Sequence, residues 1–190
     1  MELKTARLAI VRVGAGRGFV VEGRSGPLIV TAAHCLPDLP PPMSFSMLEE
    51  RTFQNLLGAL EVPPTIASEC LFVDPIADIA VLGEPDHQEL PELWEAFDNL
   101  VTASTVLSVS ASAQDSALML YLDDVWRPCA LHSFRRGFRI DAAPTIQAGM
   151  SGSPILNTTG EAIGVVVTNE GPHPKLADHL PAWLARDVFD

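Results

Sequence analysis

At 190 residues the chain is long enough for one well-filled core or two small, intimately packed ones, and too short for two independent domains of ordinary size. With 47% hydrophobic and 19% charged residues it reads as compact and globular, and no apolar run reaches the roughly 18 residues needed to cross a bilayer. A formal net charge of −12 argues against a protein that tracks nucleic-acid phosphates, which needs a basic face.

The opening MELKTARLAIVRVG is broken by Arg7 and Arg12 and no small-residue cleavage site follows, so it reads as a first strand and not as a secretory signal. GAGRGF at 14–19 lacks the last glycine of a dinucleotide loop and precedes a strand, which makes it a hairpin turn. GPLIVTAAHC carries an apolar strand out to His34 and Cys35, and the proline run PDLPPPM at 37–43 stiffens the loop behind it. FVDPIADIAVLGEP places Asp78 at the head of another apolar run, where a carboxylate must be capped, solvated or paired.

Between 83 and 104 lies GEPDHQELPELWEAFDNLVTAS, an acidic, partly helical connector. The basic cluster FRRGFR, with Arg135, Arg136 and Arg139, is explained by a solvated strand-turn-strand edge. NTT at 157–159 matches a glycosylation sequon but reads as a turn. At the end, LADHLPAWLARDVF sets Leu176, Leu180, Trp183, Leu184 and Val188 at helical spacing, which predicts a closing helix.

Runs of Val, Ile, Leu and Ala bounded by turn signals predict strands at 6–13, 17–22, 27–32, 52–60, 65–73 and 78–82. A second set falls at 105–110, 117–122, 126–133, 137–141, 153–156 and 162–168. Six strands in each half suit two antiparallel barrels or a sandwich better than a parallel sheet with crossover helices. Cysteine usage is sparse and odd in number, Cys35, Cys70 and Cys129, which points to an intracellular, cytoplasmic protein without a disulfide framework.

QAGMSGSPIL at 147–156 is the most suggestive stretch. Alone it is either a hairpin turn or a turn that presents Ser151 as a nucleophile, its glycines letting backbone N–H groups approach a substrate oxygen. Taken with His34 and Asp78, it completes a base, an orienting carboxylate and a hydroxyl in the order His, Asp, Ser. That order excludes the α/β-hydrolases, which run Ser, Asp, His, and the subtilisin arrangement, which puts Asp first.

Three motifs in this order resemble those of the chymotrypsin-like serine peptidases. TAAHC is similar to their histidine signature, DIAVL to their aspartate segment, and GMSGSPIL to the nucleophile turn in the form common among bacterial trypsin-like peptidases. The resemblance runs over roughly residues 6 to 170. It implies an all-β fold of two six-stranded antiparallel barrels packed across a cleft. The first barrel would span about 1–90, the connector about 84–104, the second barrel about 105–170 and a C-terminal helix about 175–189. It implies His34 as general base, Asp78 as its orienting partner and Ser151 as nucleophile, with the backbone N–H groups of Gly149 and Ser151 forming the oxyanion hole.

The departures are informative. Met150 stands where digestive-type enzymes carry an aspartate, so activation by propeptide cleavage loses its mechanism. Cys35 has no obvious partner on the preceding strand at Phe19, Val20 and Val21, so the disulfide typical of secreted relatives looks absent. Val167 occupies the position that often carries a supporting hydroxyl, with Thr168 one residue on.

In the trypsin branch a carboxylate six residues before the nucleophile selects Arg or Lys. Here that position is Thr145, and with Ile146, Val167, Thr168 and Asn169 it predicts a pocket for small or medium apolar side chains. No PDZ-like segment follows, in contrast to the HtrA branch, so the chain acts alone or belongs to a larger protein.

The expectation is a serine endopeptidase acting on a protein or peptide substrate, with no cofactor, no metal, and no nucleic-acid or membrane partner. The alternatives are a catalytically silent binding or regulatory module and, more distantly, an esterase.

Overall fold

The computed structural model describes residues 3–40, 51–85, 90–111, 115–134, 137–142, 144–167, 176–181 and 183–184. A short helix α1 (Leu3–Arg7) leads into the first six strands: β1 (Ile10–Val13), β2 (Gly16–Gly23), β3 (Gly26–Ala32), β4 (Thr52–Ala59), β5 (Ile66–Asp74) and β6 (Ile79–Gly83). They close antiparallel in the order β1-β2-β3-β6-β5-β4, with β1 pairing β4 to complete the barrel. The predicted turn at GAGRGF is there: Val13 pairs with Gly16 across a two-residue loop, and Gly14 takes φ +52, a conformation that favours glycine.

Helix α2 (Pro91–Thr102) fills the connector and packs on β5, burying Phe97 and Val101. Pro91 sits in its first turn, where a missing N–H costs nothing. The second barrel comprises β7 (Ser116–Leu120), β8 (Trp126–Phe134), β9 (Gly137–Ala142), β10 (Pro154–Leu156), β11 (Ala162–Val166) and β12 (Leu176–His179), closed in the order β10-β11-β12-β9-β8-β7. Its core gathers Met119, Leu131, Ile140, Met150 and Ile155, while Phe19, Ile29, Leu57 and Leu82 anchor the larger cluster, which fills the first barrel and continues through Leu156, Ala162 and Val165 of the second.

Three expectations need correction. Residues 3–7 are helical, so the first strand starts at Ile10 and not at residue 6. The segment 105–110 has strand-like alternation but joins no ladder. Leu107 donates to the Val20 carbonyl of the first barrel at 2.9 Å and Ser110 to the Ala162 carbonyl of the second at 2.9 Å, so its backbone bonds are divided between the two barrels.

The closing segment also differs. Residues 176–179 are strand β12 and not helix, because the edges of β11 and β9 take it as their common partner, with Gly164 opposite His179 and Arg139 opposite Leu176. Pro181 has no N–H and favours a first helical turn, so a helical phase cannot run back through Leu180. Helical structure is described only at Trp183 and Leu184; Leu184 is fully buried, and the Trp183 ring meets Phe72 edge-on at 5.8 Å. The rest of the expected C-terminal helix lies outside the described residues.

Candidate active site

The site is assembled where β3, β6 and the β9–β10 connection reach the junction of the two barrels. Strand β3 is apolar enough to run through the core, with Ile29, Val30 and Ala32 buried, and it ends in a 3₁₀ turn, Ala33–Cys35, that lifts His34 to the surface. Because Ala32 pairs with Ile79, the residue just before β6 falls beside this turn. That residue is Asp78. Its carbonyl accepts the Ala33 N–H at 2.9 Å and its Oδ1 accepts the His34 N–H at 2.9 Å, while its Oδ2 lies 2.5 Å from the His34 Nδ1.

The carboxylate is held in place by a turn. Asp74 Oδ1 accepts the N–H groups of Ile76 and Ala77 at 2.9 and 3.0 Å, and Asp78 itself takes φ +56. Asp tolerates that left-handed conformation better than most residues, and non-glycine strain of this kind gathers at functional sites. The positioning role of Asp74 escaped the sequence reading, although its place before Pro75 is a turn signal. The hydrogen bond to Asp78 raises the His34 pKa above its ordinary value; partial burial opposes this and the carboxylate charge reinforces it.

The turn carrying Ser151 is fastened on both sides. Towards the second barrel, Gly152 N–H donates to the Val166 carbonyl at 2.7 Å, Val166 N–H returns to the Ser153 carbonyl at 2.9 Å, and Met150 is wholly buried in the core. Towards the first barrel, the Arg17 N–H donates to the Ser151 carbonyl at 2.8 Å and the Cys35 thiol faces the same oxygen at 3.8 Å. Thus His34 and Asp78 meet directly, and Ser151 is brought against Cys35, the residue after His34.

Gly149 takes φ +89 and Gly152 φ +81. At Gly152 space is also lacking, since a Cβ would stand 1.8 Å from the Arg17 carbonyl oxygen and 2.6 Å from Thr31 Oγ1.

Arg17 is a second residue that sequence reasoning missed. Its guanidinium, almost fully buried, donates to the carbonyls of Leu120 and Tyr121 at 3.3 Å each and so ties β2 to the second barrel. Burial depresses its pKa, and nearby Asp124 pulls it back up. Cys35 packs against Gly16, where a Cβ would come within 2.5 Å of its sulfur; it is a free, buried thiol whose pKa burial pushes up to about 11.

Of the expected pocket residues, Thr145 is exposed, Ile146 joins the second-barrel core and Val167 is half-buried against the larger cluster. Thr168 and Asn169 lie outside the described residues. Among the described residues no group of three His, Cys, Asp or Glu side chains could hold a metal ion, and no helix is long and apolar enough to cross a membrane.

Two six-stranded barrels with a His–Asp pair and a glycine-flanked serine at their junction define the class of the chymotrypsin-like fold. The chain belongs to the trypsin-like peptidase domain family, which matches residues 16–165. No curated protein sequence matches it.

Among solved structures it is similar to the serine protease of a human pathogenic astrovirus, with 18% identity, a TM-score of 0.58 and 92% of this chain covering 91% of that one. It is also similar to the inactive form of the Rv3671c protease of M. tuberculosis, with 16% identity, a TM-score of 0.59, and 98% and 90% covered. The serine endoprotease from Yersinia pestis gives 20% identity and a TM-score of 0.55, with 99% of this chain spanning 65% of that one. At these identities the likeness speaks to the fold alone.

Proposed function

We propose that the chain is a serine endopeptidase. The observation that carries this reading is the paired contact of Asp78 with both the backbone N–H and the ring Nδ1 of His34, which leaves the opposite ring nitrogen, Nε2, to act as the base. Ser151 Oγ attacks the scissile carbonyl while Nε2 takes its proton, and the resulting imidazolium is stabilised by the Asp78 carboxylate. The oxyanion is received by the backbone N–H groups of Gly149 and Ser151. Collapse of the tetrahedral adduct breaks the C–N bond, and Nε2 returns the proton to the leaving amine. Water then repeats the sequence on the acyl-enzyme and frees Ser151.

The residue before the cleaved bond is taken to be small or medium and apolar. Thr145 supplies no carboxylate for a basic side chain, and the flank formed by Val165, Val166 and Val167 is apolar. An aliphatic side chain gains about 1–3 kcal/mol by burial there, whereas an unpartnered charge loses several. Three free, buried cysteines support a reducing compartment such as the cytoplasm.

A fluorophosphonate probe tests the nucleophile directly. Wild-type protein should label and hydrolyse apolar peptides, and Ser151→Ala should do neither. An unlabelled wild-type protein would leave the silent binding module as the reading, and labelling that survives Ser151→Ala would place the nucleophile elsewhere.

A further inference from the structure

A cleft of about 450 Å³ opens beside the nucleophile turn and carries charges that the chemistry above does not use. Its walls include Arg12 and Gly16, Glu61, and then Leu122, Asp124 and Gly149 from the second barrel. Gly149 is the proposed oxyanion donor, so anything seated here adjoins the scissile carbonyl. The turn has two flanks: β11 runs along one and the cleft opens along the other. If the residue before the cleaved bond lies against β11, as the proposed function has it, the segment after it would leave across Gly149 into the cleft.

The charges in and around this space do not cancel. The β1–β2 register sets Arg12 directly opposite Arg17, a like-charged cross-strand pair that repels. Arg17 is compensated by two carbonyls and stands 4.0 Å from Asp124. Both acids are drawn to a third cation, because Arg7 pairs with Glu61 at 2.9 Å and also with Asp124.

Arg12 donates its Nε–H to the Gly14 carbonyl at 3.0 Å, and among the described residues no carboxylate pairs with its terminal nitrogens. The lining itself holds two guanidiniums, Arg12 and Arg17, and two carboxylates, Glu61 and Asp124. With Arg7 drawing on both acids from outside it, three guanidiniums share two carboxylates and Arg12 is the one left over, in a chain whose formal charge is −12. Leu122, 44% exposed, offers an apolar wall beside it.

We infer that this cleft receives the substrate segment following the scissile bond, and that Arg12 there selects an acidic side chain, Asp or Glu. The inference rests on the peptidase reading. An incoming carboxylate takes charge-assisted hydrogen bonds from the free edge of the Arg12 fork and offsets its repulsion with Arg17, while the stem of a Glu lies along Leu122.

The test uses peptides that are amidated at the C-terminus, so that the side chain is the carboxylate examined, and that carry Glu, Gln or Lys at the first or second position after an otherwise constant cleavage site. For wild-type protein, kcat/KM should favour Glu over Lys by roughly ten- to a hundredfold, the scale of one charge-assisted hydrogen bond. The ratio should fall to near one in Arg12→Ala, invert in Arg12→Glu and be largely restored in Arg12→Lys. Thermal melting of each variant shows that it is folded.

A ratio near one in the wild type, or one that Arg12→Ala leaves unchanged, would overturn the inference while the peptidase reading stood. If the wild type cleaves no peptide and takes up no fluorophosphonate, the peptidase reading falls and the same peptides, fluorescently labelled, are compared by anisotropy. Tighter binding of Glu than Lys that depends on Arg12 would keep the acid-selecting cleft, and equal affinities would overturn it.

Discussion

Asp78 grips His34 at two points, the backbone N–H at 2.9 Å and the ring Nδ1 at 2.5 Å, across 44 residues of chain. One carboxylate thus sets both the position and the tautomer of the ring. Replacement by Asn keeps the shape but lets the ring settle in the wrong tautomer, so Asp78→Asn should lower kcat by roughly 10³–10⁴-fold with a smaller change in KM. Steady-state kinetics on a single apolar peptide checks it; a loss below tenfold would remove Asp78 from the mechanism.

The same contact sets the pH dependence. The folded-state pKa of His34 is raised above its ordinary value of about 6.5. In the proposed mechanism His34 acts as base in its neutral form, so kcat/KM should rise with pH through an inflection above about 6.5, and Asp78→Asn should move that inflection down. Stability runs the other way: the protonated pair contributes fully below the unfolded pKa, and the contribution is lost as pH rises through the folded one. With the ring 44% exposed, that contribution is small. A pH–rate profile on wild type and variant shows the shift, and a mutant inflection at or above the wild-type one would contradict it.

At Gly152, backbone and space act together. A methyl group would stand 1.8 Å from the Arg17 carbonyl, on a residue already at φ +81. Left-handed backbone costs a non-glycine residue about 1–2 kcal/mol, and the clash adds to it. Gly152→Ala should therefore lose more than about 2 kcal/mol in urea unfolding and displace the Ser151 turn, lowering fluorophosphonate labelling as well. An unfolding midpoint equal to that of the wild type would show that the turn adapts.

The three cysteines should be silent in the folded protein. All are free and buried, and Cys35 and Cys129 are each pushed up to about 11 by burial. At pH 8 that leaves on the order of one thiolate in a thousand, too few for ready alkylation. Native protein should react with a thiol reagent only slowly, denatured protein at all three positions, and mild reductant should leave peptide hydrolysis unchanged. Inactivation by reductant would point to a disulfide that the fold does not contain.

The closeness of Gly16 to Cys35 offers a fifth test. A Cβ at Gly16 would lie 2.5 Å from the Cys35 sulfur and 2.7 Å from the Ser151 carbonyl oxygen, so a thiol introduced by Gly16→Cys is presented to Cys35 once the backbone shifts to relieve both contacts. Under oxidant this variant should lose two thiols and gain a link between residues 16 and 35 visible in a peptide map. Retention of every thiol would mean that the β1–β2 turn and the 3₁₀ turn move apart in solution.

Much of this protein could be read before it folded. Strand alternation and turn residues located most of the ladder, and the short-range motifs around His34, Asp78 and Ser151 carried the family, because their demands are local: a strand end, a turn before a strand, glycines with positive φ. The segments misread were those whose partner is distant in sequence. Residues 105–110 alternate like a strand yet divide their bonds between two barrels, and residues 176–179 follow helical spacing yet close a barrel between β9 and β11.

Backbone bonding of that kind depends on which edges remain open after everything else has packed, and no window of residues records it. The same holds at the site. The residue types and their order were in the sequence. That Asp74 shapes the turn behind Asp78, that Gly16 and not β2's apolar run faces Cys35, and that Arg7 draws off the acids while Arg12 is left uncompensated were settled by barrel closure and by the docking of two cores. Charges balance in space and not along the chain, so only the folded arrangement reveals which one is left over.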